Sequence, residues 1–186
     1  TSTFALSTVR ADQRPAVERA RIESRLARDA AAQATRAAED HPDALAWPKA
    51  NALYSGETRN RQPHGSGVMT FRDGKNVAAI YRGEFSEGVR SGHGVATSDG
   101  GHTWSGQWAD GEARGFGMLE TPDGRRFEGD IVTDQSGAAR PGAGHTVVST
   151  RAGERGTRRL CAGRLRAWRI RHACRLQRDD RVGRSV

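Results

Sequence analysis

The sequence predicts a mainly β protein: an elongated single-layer antiparallel sheet of stacked β-hairpins, preceded by one α-helix and followed by an arginine-rich tail that reads as disordered. Three observations carry that prediction. First, Tyr81-Arg82-Gly83-Glu84-Phe85, Trp104-Ser105-Gly106-Gln107-Trp108 and Phe127-Glu128-Gly129-Asp130-Ile131 repeat one pattern, with a worn copy at Tyr54-Ser55-Gly56-Glu57; the leading aromatics lie 27, 23 and 23 residues apart. Second, Gly65-Ser66-Gly67, Gly92-His93-Gly94 and Gly115-Phe116-Gly117 each begin 11 residues after their aromatic. Third, Asp-Gly pairs keep the same step at Asp73-Gly74, Asp99-Gly100 and Asp123-Gly124. Self-similarity at a period in the low twenties is the mark of a repeat architecture.

Residues 12–41 come first and read as a helix. Asp12 can cap it, Pro15 suits its first turn, and its Ala, Arg and Glu content favours helix; His41-Pro42 ends it. Val17, Ile22, Leu26 and Ala30 form a thin apolar stripe, and Arg21 with Arg25 is a like-charge pair one turn apart. With no sustained heptad visible, the expectation is a helix packed weakly on one end of the sheet, or projecting as a spacer. Residues 42–52, with Pro42, Trp47 and Pro48, form a linker whose Trp47 is placed to cap the first hairpin.

The repeats occupy residues 53–133, with a degenerate last hairpin extending to 150. In each copy the aromatic, the glycine and the next bulky residue are two apart with polar residues between, the period of a strand. The Gly-x-Gly segments open a second strand, and Asp-Gly is a strong tight-turn signal because the turn needs positive φ. A glycine inside a strand marks a place where something approaches closely. Here the expected occupant is the ring of a neighbouring strand. One such hairpin cannot bury its face alone, whereas several stacked can.

This pattern resembles the MORN repeat (membrane occupation and recognition nexus), most closely over Tyr81–Val95 and Trp104–Met118. The copy at Tyr54 departs from it: Thr58 replaces the second aromatic, Arg61 stands where Gly88 and Gly111 stand later, and extra residues enter around Lys75–Ala79. The copy at Phe127 is complete only to Ile131, with Gly142-Ala143-Gly144 and His145–Ser149 as its worn second strand. The resemblance implies a scaffold for protein binding, self-assembly or membrane association. It assigns repeat-building roles to Tyr54, Gly56, Gly65, Gly67, Gly83, Gly92, Gly94, Gly106, Gly115, Gly117 and Gly129. MORN arrays elsewhere also precede lipid-kinase or lysine-methyltransferase domains, so an accessory region of a larger enzyme is a third reading. The 36 residues after position 150 cannot hold such a domain, and activity would require further chain.

Composition agrees with a thin sheet. Leu, Ile, Val and Phe make up 15% of the chain, below the roughly 20% that accompanies an ordinary core. Residues 151–186 hold 12 arginines against 3 acidic groups, a net +9, while the remainder is near neutral. Arg158, Arg159, Arg164, Arg166, Arg169 and Arg171 therefore offer a basic arm for anionic lipid or, non-specifically, nucleic acid. The same stretch also reads as a plain disordered tail, or as GC-rich DNA translated in a wrong frame. Cys161 and Cys174 lie there too, at no metal or redox spacing. No apolar run is long enough to span a membrane. The chain begins at Thr1, which suggests processing or a fragment. Compartment stays open, with cytoplasm or a membrane surface favoured over periplasm.

No nucleophile elbow, phosphate loop or metal-ligand spacing is present, so the sequence reads as non-catalytic, without cofactor or metal. His93 and His102 flank the Asp99-Gly100 turn, which pairs His93 nearer Gln107 than His102. Glu57 and Glu84, at one repeat position, and Glu128, one residue earlier in its own copy, read as part of a solvated face rather than as catalytic carboxylates. The expected contact surface for a protein partner, a second copy or a membrane is the aromatic ridge of Tyr81, Phe85, Trp104, Trp108 and Phe127.

Overall fold

The computed structural model describes residues 14–133, 139–141 and 146–149. Helix α1 (Arg14–Asp40) leads into a short strand β1 (Leu45–Trp47) and a 3-10 turn at Pro48–Ala50. Strands β2 (Ala52–Arg59), β3 (Gln62–Asp73), β4 (Asn76–Ser86), β5 (Val89–Ser98), β6 (Thr103–Ala109), β7 (Glu112–Glu120) and β8 (Arg125–Thr133) follow. Two short strands close the described chain, β9 (Ala139–Pro141) and β10 (Thr146–Ser149). All belong to one antiparallel sheet in which β1 to β8 lie in sequence order, and β9 and β10 both pair with β8.

Strand register turns the periodic sequence into rows that cross the sheet. Gly56, Gly67, Gly83, Gly94, Gly106, Gly117 and Gly129 are cross-strand partners in succession, an unbroken glycine row over seven strands. Beside it on the same face runs Tyr54, Met69, Tyr81, Ala96, Trp104, Leu119 and Phe127. Each ring leans into the trough that the glycines leave. A Cβ at Gly94 would lie 2.6 Å from Cε2 of Tyr81, and one at Gly117 would lie 2.6 Å from Cη2 of Trp104. No side chain can be accommodated there. The glycines that weaken isolated strands are thus what lets this sheet bury its rings.

Two kinds of turn alternate along the array. The Asp-Gly turns join β3 to β4, β5 to β6 and β7 to β8. The opposite ends join through Asn60-Arg61, Glu87-Gly88 and Asp110-Gly111, whose φ values (51° and 59°, 51° and 82°, 53° and 78°) are those of a tight hairpin turn with two left-handed residues. The second and third of these reach back to the preceding copy, with Gly88 N–H donating to the Pro63 carbonyl and Gly111 N–H to the Arg90 carbonyl. Of the extra residues of the first copy, one is taken up at the register shift between Phe71 and Arg72 and the others lengthen the β3–β4 hairpin.

The linker holds more structure than its composition suggests. β1 pairs with β2, and Leu45 and Trp47 pack against the core cluster. The indole of Trp47 closes over Gly88, at the turn of the second copy rather than the first. The worn final copy still forms strands, since Thr146–Ser149 pairs with Arg125–Glu128. Arg158, Arg159, Arg164, Arg166, Arg169 and Arg171, like Cys161 and Cys174, lie outside the described residues.

Helix α1 neither sits on an end of the sheet nor projects as a spacer. It crosses one face and touches every strand from β2 to β8. A helix of 27 residues is about 40 Å long, ample for seven strands spaced about 4.8 Å apart. Its buried side is Val17, Ala20, Ser24, Ala27, Ala31 and Ala34, with Ala30 beside them. Those six positions alternate steps of three and four, so a heptad-spaced seam does exist, made of small residues instead of bulky ones. Ile22 and Leu26, expected on the packed stripe, face outward and are 50% and 45% exposed. Small side chains prevail on the inner side because they let the helix backbone lie close to a broad sheet.

Candidate functional site

The ring face comes first, since the contact ridge was expected there. Tyr81 and Trp104 are fully buried, and Phe85, Trp108 and Phe127 are at most 4% exposed. The five residues are core in this structure, not an open ridge. Rings cover one another edge to face between copies, Tyr54 on Phe85 at 5.0 Å and Tyr81 on Trp108 at 4.9 Å, and within one, Phe85 on Tyr81 at 5.1 Å. Arg90 is buried among them, its guanidinium 4.8 Å from the Trp108 ring centre and 5.0 Å from that of Phe71. It donates to the Gly111 carbonyl, so this cation ties three copies together.

The tyrosines are pinned at their tips. Tyr54 Oη donates to the Glu57 carbonyl at 2.5 Å, and Tyr81 Oη to the Glu84 carbonyl at 3.0 Å. Burial pushes both phenols well above their ordinary range, with the nearby Glu57 adding to the effect at Tyr54; at Tyr81, Arg90 opposes it. Trp104 fills the same slot in the third copy, but its buried indole N–H has no hydrogen-bond partner among the described residues.

Glu57 is exposed and the Glu84 side chain is 46% exposed, yet these two and Gln107 also each accept a backbone N–H. Glu57 Oε2 accepts the Ser66 N–H at 2.9 Å, Glu84 Oε2 the His93 N–H at 2.6 Å, and Gln107 Oε1 the Phe116 N–H at 3.1 Å. In each copy this side chain lies against the first glycine of Gly-x-Gly, where φ is 66°, 60° and 87° and a Cβ would strike the carboxylate or amide. One repeat position thus supplies the acceptor and another the space for it. This use was hidden in the sequence because a recurring Glu on an alternating strand looks the same whether it faces water or backbone.

The opposite face is where α1 docks, and the repeat supplies its contacts at two positions. The residue after the leading aromatic meets the helix through Ser105, whose Oγ is 2.6 Å from Ser24 Oγ, and through Glu128, which accepts from Arg21 Nε at 2.9 Å. The middle residue of Gly-x-Gly meets it through His93, with Nε2 2.8 Å from Glu23 Oε2, and through Phe116, whose ring centre is 4.6 Å from the Arg19 guanidinium carbon. Glu128, expected on a solvated face, is instead buried because α1 covers it, and it anchors a chain of alternating charge. Arg126 lies 3.9 Å from it and 3.0 Å from Glu120, which in turn lies 3.7 Å from Arg28. In sequence these positions are merely polar alternates that differ from copy to copy. The small-residue seam of α1 was the signal that could have found them.

His93 pairs with Gln107 across β5 and β6, as its place beside the turn implied. Among the described residues no group of three or more His, Cys, Asp or Glu is placed to hold a metal ion. No helix among them is long and apolar enough to cross a membrane.

Comparison with known proteins agrees with this geometry. The family model for the MORN repeat matches residues 54–75, 81–103 and 104–125. The chain is also similar to Alsin of Rattus norvegicus, with 33% identity over 85 residues; the match takes in 42% of this chain and spans 5% of the length of Alsin. The chain therefore carries three MORN repeats, and its mainly β sheet of stacked hairpins is built from them. MORN repeats are linked in general to protein or membrane interactions, and the repeat itself is generally non-catalytic.

Proposed function

We propose that this MORN-repeat chain is a non-catalytic scaffold that holds protein partners, or further copies of itself, on a stiff repeat platform. The observation that carries the reading is how the recurring polar side chains are employed. Glu57, Glu84 and Gln107 accept backbone N–H groups, while Ser105, Glu128 and His93 hold α1. Groups committed to building the array make a rigid body whose variable outer surface is available for docking. With the aromatic rings buried, the docking surface is assigned instead to the outer side of α1, the turns and the sheet margins.

The membrane reading is the competitor, resting on the arginine tail from Arg158 to Arg171 and on the interactions typical of such repeats. An accessory role in a larger enzyme needs additional chain. One pair of measurements separates the first two readings: sedimentation velocity over a concentration series, and co-sedimentation with anionic phosphatidylserine liposomes at physiological salt. The scaffold reading predicts protein association without lipid, and liposome binding that fades steeply with salt and disappears when the six tail arginines become Gln. Liposome binding that survives both changes would replace the scaffold with a membrane-surface module.

A further inference from the structure

The strand that opens each later copy is paired along both of its edges. β4 lies between β3 and β5, and β6 between β5 and β7; on the side of the preceding copy, pairing reaches Phe85 in one and Trp108 in the other. β2 is their counterpart in the first copy. Its outer side is met by β1, which pairs only with Ala52, Leu53 and Tyr54. Among the described residues no strand lies beside residues 55–59 on that outer edge. The Glu57 carbonyl accepts from Tyr54 Oη, but this does not block pairing, since the Glu84 carbonyl accepts from Tyr81 Oη while Glu84 is paired with Ser66.

The adjoining turn changes charge in this copy. Later turns read Ser86-Glu87-Gly88 and Ala109-Asp110-Gly111, each with one acid and no base, whereas the first reads Arg59-Asn60-Arg61. Both arginines are exposed, and neither is paired with a carboxylate among the described residues. Arg61 holds a φ of 59° where Gly88 and Gly111 sit in the other copies, a conformation that disfavours a long side chain. A residue kept against its backbone preference points to a use outside the fold. The exposed acids around the stretch are Asp43, two residues before β1, Glu87 in the next turn, and Glu57, whose carboxylate accepts the Ser66 N–H. The basic end of the open edge is therefore the end at the first turn.

We infer that the outer edge of β2 over residues 55–59, with Arg59 and Arg61 at its end, docks an extended acidic segment of a partner protein. The segment adds antiparallel, as the strand that a preceding copy would have supplied. This rests on the scaffold reading above and gives it one surface and one partner chemistry. Antiparallel addition brings the N-terminal end of the segment to the two arginines, so its acidic residues come first and strand-forming residues follow. A basic edge is one of the ways a sheet avoids pairing with its own kind, and the same charge selects an acidic strand. The contact is far smaller than the roughly 800 Å² per partner of a standard interface, so a single segment binds weakly. Charge sets its direction and partner choice more than its strength.

Fluorescence anisotropy of the full chain with a labelled seven-residue peptide tests the inference. The probe is three glutamates followed by alternating threonine and valine, and its control has the same residues in reverse order. Both carry equal charge, so attraction to the arginine tail is the same for both and the difference reports the edge. The glutamate-first peptide is expected to bind about five-fold tighter than its reverse. Arg59→Ser with Arg61→Gly, which gives the first turn the flanking residues of the second, should remove about that factor while leaving stability to urea at or above that of the parent. Methylating alternate peptide nitrogens, those turned toward β2, should weaken binding about ten-fold, because strand addition needs their N–H groups. Amide exchange at residues 55–59 should slow in the complex. Equal binding of the two orders, or binding indifferent to both arginines, overturns this edge as an acidic-strand site. Protection that appears elsewhere with none at 55–59 overturns it as well. These failures leave the scaffold reading standing, because sedimentation velocity and liposome binding decide that reading separately.

Discussion

The two faces of the sheet are made by opposite means. On one, a row of glycines and a row of rings repeat through every copy, and the rings cover one another, with Leu45 and Trp47 of the linker packed against them. On the other, serine, glutamate, histidine and phenylalanine take turns at equivalent positions, and an unrelated helix covers them with alanines. The first face is a solution that can be copied indefinitely. The second is specific to each rung, since what one helical turn meets differs from what the next one meets. Repetition accordingly supplies stability, and departure from repetition supplies identity.

The largest test of this division strikes the glycine row. Gly117→Val forces a side chain into the Trp104 indole and the Ser105 carbonyl, and Trp104→Ala empties the same slot. The glycine variant is expected to prevent folding of the array, and the tryptophan variant to cost about 3–5 kcal/mol; urea unfolding followed by tryptophan fluorescence measures both. If either left the array as stable as the parent, the ring face would not be the source of stability.

A smaller and more local effect is expected on the helix side. Arg21→Ala leaves buried Glu128 with Arg126 at 3.9 Å as its remaining nearby cation, a loss of about 1–2 kcal/mol given the partial exposure of Arg21. Hydrogen exchange should show lost protection in α1 with little change in β4 to β7. A uniform loss across all strands would mean that the two faces are not separable.

The side chains of Glu57, Glu84 and Gln107, which accept backbone N–H groups, fall between the two faces in kind. Glu84→Ala removes the acceptor for the His93 N–H and also the carboxylate beside the His93 ring. It should cost about 1–2 kcal/mol, whereas Glu84→Gln, which reproduces the amide that Gln107 supplies in the third copy, should restore most of that. In contrast Arg61→Gly should stabilise. Arg61 adopts a left-handed φ of 59° where the other two copies have glycine, and relieving it is worth about 1 kcal/mol.

The alkaline limb of stability provides the finest comparison. Burial raises the Tyr54 and Tyr81 phenols above the unfolded value, so above pH about 10 the unfolded chain releases protons that the folded chain keeps. Stability is thus fully present below that pH and falls as pH rises through the window between the unfolded and folded values. Tyr54→Phe and Tyr81→Phe should each lower stability at pH 7 by about 1 kcal/mol through the lost hydroxyl bond, yet flatten the alkaline decline.

Much of this architecture was legible one residue at a time. The ring–glycine spacing announced hairpins, strand order and ring-over-glycine packing, and the Asp-Gly pairs marked one of the two kinds of turn. The contact ridge was misplaced for a physical reason: alternation tells which residues share a face but not whether that face is open to water. Edge-to-face contacts between copies, such as Tyr81 with Trp108, closed it. Of the expected helix stripe, Val17 and Ala30 are buried whereas Ile22 and Leu26 are not, because a helix lying flat on a sheet favours small residues such as Ala20, Ala27, Ala31 and Ala34 at the contact.

By itself, then, the sequence determined the repeat, its register and the glycine row, because a period of 23 residues with alternation of two leaves almost no other way to pair the strands. Tertiary structure alone decided which face is sealed by rings, which is sealed by α1, and which side of α1 is left outward. The ring face depends on contacts between copies, such as Tyr81 with Trp108, and the seat of α1 on contacts between residues still farther apart in sequence, such as Glu23 with His93 and Arg21 with Glu128. No local pattern encodes such distances.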